Sequence, residues 1–281
     1  MKTIKITLFI STFLFYYSCI AQNSKGNYLK DSNIKGRVKA ITNTMFEVVD
    51  SLGNNHKEHY YYKEKDLFNK KGNITEEDHY SRDGSIKYHM TFKYDKEENK
   101  IELNYYYADS LTIYKYANQY DDKGNKIAET DYKPNGSLSK IYKYKYDDKG
   151  NQVEWDIRNA DSSLYKQYFY TYDDKGNKVE IKALNPNGSI DHRTTYTYND
   201  KGYAVEVNSY KSGGSTLEFK MLYTYDDEGN STELRYFDPD GKLGTQSAYK
   251  YEYDKTDNWI KRTEYNKDVP HYLIEREIEY Y

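Results

Sequence analysis

The sequence predicts an all-β fold: tandem two-strand repeats of ~26 residues, joined into one long antiparallel meander sheet that is twisted, curved or coiled. Three observations predict it. Turn glycines recur at Gly124, Gly150, Gly176, Gly202 and Gly229, spaced 26, 26, 26 and 27 residues apart. Stepping back by the same interval reaches Glu98, in a degenerate turn, and then Gly72. A second turn follows about 12 residues after each of these, as Asp83-Gly84, Asn135-Gly136, Asn187-Gly188, Gly213-Gly214 and Asp240-Gly241, with Asp109-Ser110 and Asp161-Ser162 as variants. Between turns the side chains alternate with period two, as in Ile141-Tyr142-Lys143-Tyr144-Lys145-Tyr146.

Each interval holds one strand of roughly 8 residues plus half of each flanking loop, and none has room for an ordinary helix. Asn-Gly and Asp-Gly between alternating runs are strong hairpin signals, because Gly and Asn tolerate positive φ. The Asp-Asp-Lys-Gly loop suits a type I turn closed by a left-handed Gly. That loop sets an expected register: Tyr146 opposite Gln152, Tyr144 opposite Glu154, Lys143 opposite Trp155. One face would then carry tyrosines with a glutamate column, Glu76, Glu102, Glu154, Glu180, Glu206 and Glu233. About sixteen strands at ~4.8 Å spacing would span ~75 Å if flat, a width at which open sheets curl or split.

The ends are read from composition. Residues 36–281 form the repeat domain, opening with a divergent unit at Gly36-Arg37-Val38. Residues 22–35 are polar and read as a linker. The closing segment, Tyr272 to Ile278, is charged and strand-like, as edge strands commonly are. Residues 1–21 read as a signal peptide, with Lys2 and Lys5 ahead of an apolar run from Ile6 to Tyr17. Two processing routes stay open. Cleavage before Cys19 would leave a lipidated cysteine; cleavage after Ala21 would leave Gln22 first.

The repeat signature, Tyr-Asp-x-x-Gly after an aromatic strand, stands at Tyr120-Asp121, Tyr146-Asp147, Tyr172-Asp173 and Tyr225-Asp226, with weaker copies from Tyr94, Tyr198 and Tyr253. Over roughly residues 60–260 the chain resembles the YD-repeat (RHS-like) families of bacterial envelope and secreted proteins. The resemblance implies a β-sheet scaffold of the kind used at cell surfaces, in carbohydrate contact or, in large members, as a shell around cargo. Asn follows the turn Gly here, where Arg is frequent in that family.

Composition narrows the function. Cys19 is the only cysteine, so the body has no disulfide, thiol nucleophile or cysteine-based zinc site. Losing residues 1–21 takes the formal charge from −3 to −5, with bases and acids interleaved, which argues against nucleic acid as partner. Tyrosine is abundant, at 37 residues, and mean hydropathy is −1.10, so a deep aliphatic core is not expected. Tyrosine can instead cover a half-buried β surface while its hydroxyl finds a partner.

No constellation of catalytic residues recurs, and the protein is expected not to be an enzyme. His56 and His59, three apart on a strand, would point to opposite faces, and no metal site or cofactor is expected. The paired aspartates of the turns, Asp121-Asp122 to Asp226-Asp227, read as turn formers. The expected ligand-contact face comprises Tyr142, Tyr144, Tyr146, Trp155, Tyr168, Tyr170, Tyr172, Glu154 and Glu180, with Trp155 and Trp259 as the foremost contacts. Gly72, Gly124, Gly150, Gly176, Gly202 and Gly229 are structural turns. The expected function is a non-enzymatic exported cell-envelope module acting as scaffold or in binding and adhesion, with a glycan-binding accessory protein as the alternative. Its partner would be an envelope protein or polysaccharide, and any membrane attachment would run through lipid on Cys19.

Overall fold

The computed structural model describes residues 28–51, 54–107 and 113–281. The signal-peptide segment and Cys19 lie outside the described residues. A four-residue helix, α1 (Tyr28–Asp31), precedes eighteen strands, from β1 (Val38–Ser51) and β2 (Asn54–Phe68) to β18 (Val269–Tyr280). Each strand pairs antiparallel with the next in sequence, and β1 also pairs with β18, from Val38↔Tyr280 to Glu47↔Tyr272. The sheet therefore closes on itself.

This corrects the open meander expected from the sequence: the protein is an all-β closed barrel of eighteen antiparallel strands. A sheet this wide has two unpaired edges as long as it stays open. Joining them satisfies both rows of backbone groups. The Tyr272–Ile278 segment is correspondingly a closure strand and not an edge. Glutamates of β18 meet lysines across the seam, Glu275 with Lys57 and Glu279 with Lys39 and Lys65. At a strand tilt of ~40°, eighteen strands close into a barrel roughly 35 Å across the backbone.

The turns follow from the repeat signature. In the hairpin between β8 (Leu138–Tyr146) and β9 (Gln152–Asn159), Gly150 has φ +85° and its N–H donates to the Asp147 carbonyl at 3.0 Å. Asp147 Oδ1 accepts the backbone N–H groups of Lys149 and Asn151, and Oδ2 accepts the Asn151 amide at 2.9 Å. The same net recurs at Asp121 with Asn125 and at Asp173 with Asn177, which gives the Asn after each turn Gly its job. The Asn amide first, and the backbone donors with it, hold the Asp147 and Asp173 carboxyls below the usual range. Gly72, Gly124, Gly176, Gly202 and Gly229 also have positive φ, and Glu98 takes φ +67° in their place. Gly229 has a second constraint: a Cβ there would lie 2.5 Å from the Tyr203 hydroxyl.

The tyrosine of each Tyr-Asp pair builds a ladder. Its hydroxyl donates to a backbone carbonyl of the preceding repeat: Tyr120 to Lys100 at 2.7 Å, Tyr146 to Lys126 at 2.8 Å, Tyr172 to Gln152 at 2.7 Å and Tyr198 to Lys178 at 2.7 Å. Each such bond runs between the two neighbouring strands at a repeat boundary, stapling one turn-closed hairpin to the one before it. A net intramolecular hydrogen bond contributes about 0.5–1.5 kcal/mol. Tyr172→Phe is accordingly expected to cost about 1 kcal/mol in urea unfolding, while Thr171→Ser on the exposed side of the same strand changes stability by less than about 0.5 kcal/mol.

Aliphatic packing gathers beside the seam. Leu29 of α1 packs with Val38, Ile41, Phe68 and Ile74, joined by Tyr28, Ile34, Phe92 and Ile278. Residues 28–34, expected as part of a linker, are thus docked on the wall.

Candidate functional site

The two faces of the wall differ in chemistry because of a bulge that the sequence reading did not foresee. Tyr146 does pair with Gln152, but Lys145 pairs with Glu154 and Tyr144 with Trp155, so Val153 is an extra residue in β9. Corresponding shifts place Thr171 opposite Glu180 and Thr197 opposite Glu206. The bulge moves the whole glutamate column to the face opposite the tyrosines. Of the expected contact residues, Tyr142, Tyr144, Tyr146, Trp155, Tyr168, Tyr170 and Tyr172 share one face, and Glu154 and Glu180 lie on the other.

On the glutamate face, Lys145 pairs with Glu154 at 2.8 Å, Arg193 with Glu180, and both Lys93 and Lys115 with Glu102 at 2.7 Å. The lysine hydrogen bonds first, with that of Asn104, hold the Glu102 carboxyl down to about 2. The tyrosine face is the more buried of the two, as in β8, where Tyr144 is buried and Lys143 and Lys145 are exposed. Curvature crowds side chains on the concave side of a single-layer wall, so the tyrosine face is assigned to the lumen.

The tyrosine face holds a row of stacked rings. Trp155 stacks on Tyr144 with centroids 6.2 Å apart and planes 7° apart, on Tyr168 at 4.8 Å and on Tyr142 at 6.0 Å. Lysine ammonium groups lie over the neighbouring rings, Lys126 over Tyr144 at 4.5 Å and Lys178 over Tyr170 at 4.6 Å. Many hydroxyls are already engaged. Tyr146 and Tyr172 belong to the ladder, and Tyr142 donates to Asp131 Oδ2 at 2.7 Å. Burial raises the Asp131 carboxyl to about 6, against the opposing effect of the Tyr142 hydrogen bond. Trp259, the other foremost contact, is covered by the Arg276 guanidinium, 3.3 Å from its ring centroid.

A second cluster lies on the same face in the second hairpin, β2 with β3 (Ile74–Tyr80). Glu64 pairs with His79 across the strands, and Asp66 with Glu77. Glu64 is 4% exposed, Asp66 3% and His79 7%. Asn43 donates to Glu64 at 2.9 Å, the Tyr62 hydroxyl also donates to Glu64, and His79 Nε2 meets Glu77. The His79 ring stacks on Tyr88 at 4.1 Å. One ligand atom each from Glu64, Glu77 and His79 fall within 4.8 Å of one another.

No family model and no curated protein matches this chain. Among solved structures it is similar to a porin-like protein from Bacteroides uniformis, at 11% identity and TM-score 0.45, over 86% of this chain and 96% of that one. It is similar to a porin-like protein from Bacteroides vulgatus at 15% identity and TM-score 0.36, over 88% and 99% of the two chains. A third likeness is to the TcdB2-TccC3 structure, at 12% identity and TM-score 0.37, where 84% of this chain matches 15% of that one.

Sequence reasoning missed the Glu64–His79 cluster, although a signal for it exists. Adding three repeat intervals carries Glu64, Asp66, Glu77 and His79 onto Tyr142, Tyr144, Trp155 and Ile157, which pair in the same way. Four ionisable residues thus occupy positions that hold a stacked aromatic and aliphatic row three units later. Reading the repeats column by column, and not only by their turns, exposes the exchange. The expected contrast between His56 and His59 concerns side chains outside the described residues.

Proposed function

We propose that this protein is an exported, non-enzymatic β-barrel that stands in water at the bacterial cell envelope and serves as a rigid scaffold or binding module. The observation that carries this reading is the charge on both faces of the wall. A barrel that crosses a bilayer needs an outward apolar band ~25 Å tall. Here one face carries Lys93–Glu102–Lys115, Lys145–Glu154 and Lys220–Glu206, and the other carries Glu64, Asp66, Glu77, Asp131 and Arg276. Whichever face points outward, charged side chains interrupt the band. Side chains of the tyrosine face serve the wall itself, through the ladder and the stacked rings, as suits a stiff support.

A kinship with YD-repeat envelope proteins belongs to the same reading. It is supported by the recurring pair of jobs in the signature: the tyrosine staples hairpins and the aspartate caps its turn. Export rests on the N-terminal composition, with lipid on Cys19 or a free chain from Gln22 as the two outcomes.

The experiment is expression of the chain from Gln22 without detergent, followed by addition to liposomes and planar bilayers. The expected result is a monodisperse soluble protein with no conductance steps. Spontaneous insertion with stepwise conductance would sink the reading.

One observation favours a second reading, glycan contact, in narrower form than the mixed tyrosine and glutamate face. The half-buried Tyr142–Trp155–Tyr168 row offers flat rings on which sugars can stack. Tryptophan emission that shifts saturably on titration with envelope polysaccharides, and stays unshifted in Trp155→Phe, would favour it. Equal response in that variant would remove the row from consideration.

A further inference from the structure

Within one hairpin, three carboxylates and an imidazole face one another on the more buried side of the wall. Removing a carboxylate from water costs several kcal/mol unless a positive charge or donors compensate. The compensation is incomplete for three acids. Asn43 and Tyr62 serve Glu64. Arg276, on β18, lowers the cost at Asp66, while its guanidinium also donates to Asn43 and covers Trp259. Lys100 reaches Glu77 electrostatically from β5 (Lys100–Tyr107).

A second observation comes from the imidazole itself. His79 Nδ1 is buried and makes no hydrogen bond among the described residues. Its ring is held between Tyr88, stacked at 4.1 Å, and Tyr62, edge-on at 5.4 Å. In the tautomer that donates Nε2–H to Glu77, Nδ1 presents a bare lone pair. Because no hydrogen bond at Nδ1 fixes the tautomer, the proton can sit on Nδ1 instead, and Nε2 then turns its lone pair toward Glu77, where a cation can lie between imidazole and carboxylate while the ring cage holds the imidazole plane.

We propose that Glu64, Glu77 and His79 form a binding site for a divalent transition-metal ion of the zinc class, with Asp66 as a neighbouring carboxylate and Tyr62 and Asn43 orienting Glu64. One imidazole nitrogen with two carboxylate oxygens suits zinc or its first-row neighbours, whereas calcium prefers an all-oxygen set. Tetrahedral bonds of ~2.1 Å hold ligand atoms ~3.4 Å apart. The three atoms already lie within 4.8 Å, so side-chain rotations of roughly an ångström complete the triangle. Because all the ligands come from β2 and β3, the ion would tie that hairpin together at the place where other repeats stack rings. Its role is structural on this geometry.

The test uses metal-stripped chain from Gln22, titrated with Co²⁺ and with Zn²⁺ against a chromophoric chelator. One equivalent should bind, the Co²⁺ form should show visible d–d absorption, and Zn²⁺ should raise the melting temperature. Orienting partners alone are worth ~10–100-fold in affinity, so His79→Ala should weaken Zn²⁺ binding at least ~100-fold. Glu77→Gln should also weaken binding while keeping the side-chain shape, and circular dichroism verifies that each variant is folded. His192→Ala removes the imidazole beside Asp191 and should change nothing. Absence of the cobalt band, unchanged affinity in folded His79→Ala and Glu77→Gln, or loss of binding in His192→Ala would each overturn the proposal.

Discussion

Deleting residues 125–150 is expected to give a folded, smaller barrel, whereas deleting residues 125–137 is expected to abolish the fold. The first deletion removes β7 (Lys126–Tyr132) and β8 as a pair and joins Gly124 to Asn151, recreating the same Asp-Asp-Lys-Gly-Asn turn. Sixteen strands remain, every later strand keeps its direction, and β18 still meets β1 antiparallel. The second deletion removes β7 alone. Every strand after it then reverses, and β18 meets β1 parallel. The nine paired positions of the seam cannot form in that direction. Nor can the Glu275–Lys57 and Glu279–Lys39 contacts. At about 0.5–1.5 kcal/mol per net hydrogen bond, the lost ladder alone amounts to roughly 5 kcal/mol. Small domains have about 5–15 kcal/mol in total. Thermal melts read by circular dichroism, with limited proteolysis, check both outcomes. A cooperative melt from the single-strand deletion would show that the seam contributes little.

The parts of the fold legible in the sequence are those written in neighbouring residues. Turn glycines, period-two alternation and paired turn signals specify hairpins, and they specify them repeat after repeat. Closure is not local. Whether a wide sheet curls or joins depends on β1 and β18, more than 220 residues apart in sequence. A trace was present nonetheless, in Lys39, Lys57 and Lys65 near one end and Glu275 and Glu279 near the other. The register failed for a different reason. A single extra residue such as Val153 leaves the alternation of each strand intact but exchanges the faces of its partner. That one residue separates Glu154 from Tyr144, and with it the imagined tyrosine–glutamate surface. The β2–β3 hairpin shows the converse. Glu64, Asp66, Glu77 and His79 look like ordinary charged surface residues in isolation, and only pairing shows that they converge.

Ile41→Ala is expected to destabilise the barrel by about 2–5 kcal/mol, the range for truncating a buried Ile. Ile41 is 1% exposed and sits opposite Ile278 on one side and Asp66 on the other, so it touches both strands that β1 joins. Its neighbours Val38, Phe68, Ile74 and Leu29 make up a compact apolar cluster in an otherwise tyrosine-rich wall. The location has a physical reason. Elsewhere each strand is delivered to its partner by a short turn, so little chain entropy opposes pairing. The seam joins two strands from opposite ends of the chain, and closing a loop of that length costs more. The hydrogen bonds of the seam contribute no more per residue than those of any other strand pair, so added apolar burial offsets the extra cost at the closure point. The variant should lower the urea midpoint with little change in slope and speed proteolytic cleavage of the α1 segment. Truncating the 38% exposed Ile101 instead should move the midpoint by less than about 0.5 kcal/mol. Equal effects at the two sites would mean that closure does not depend on this cluster.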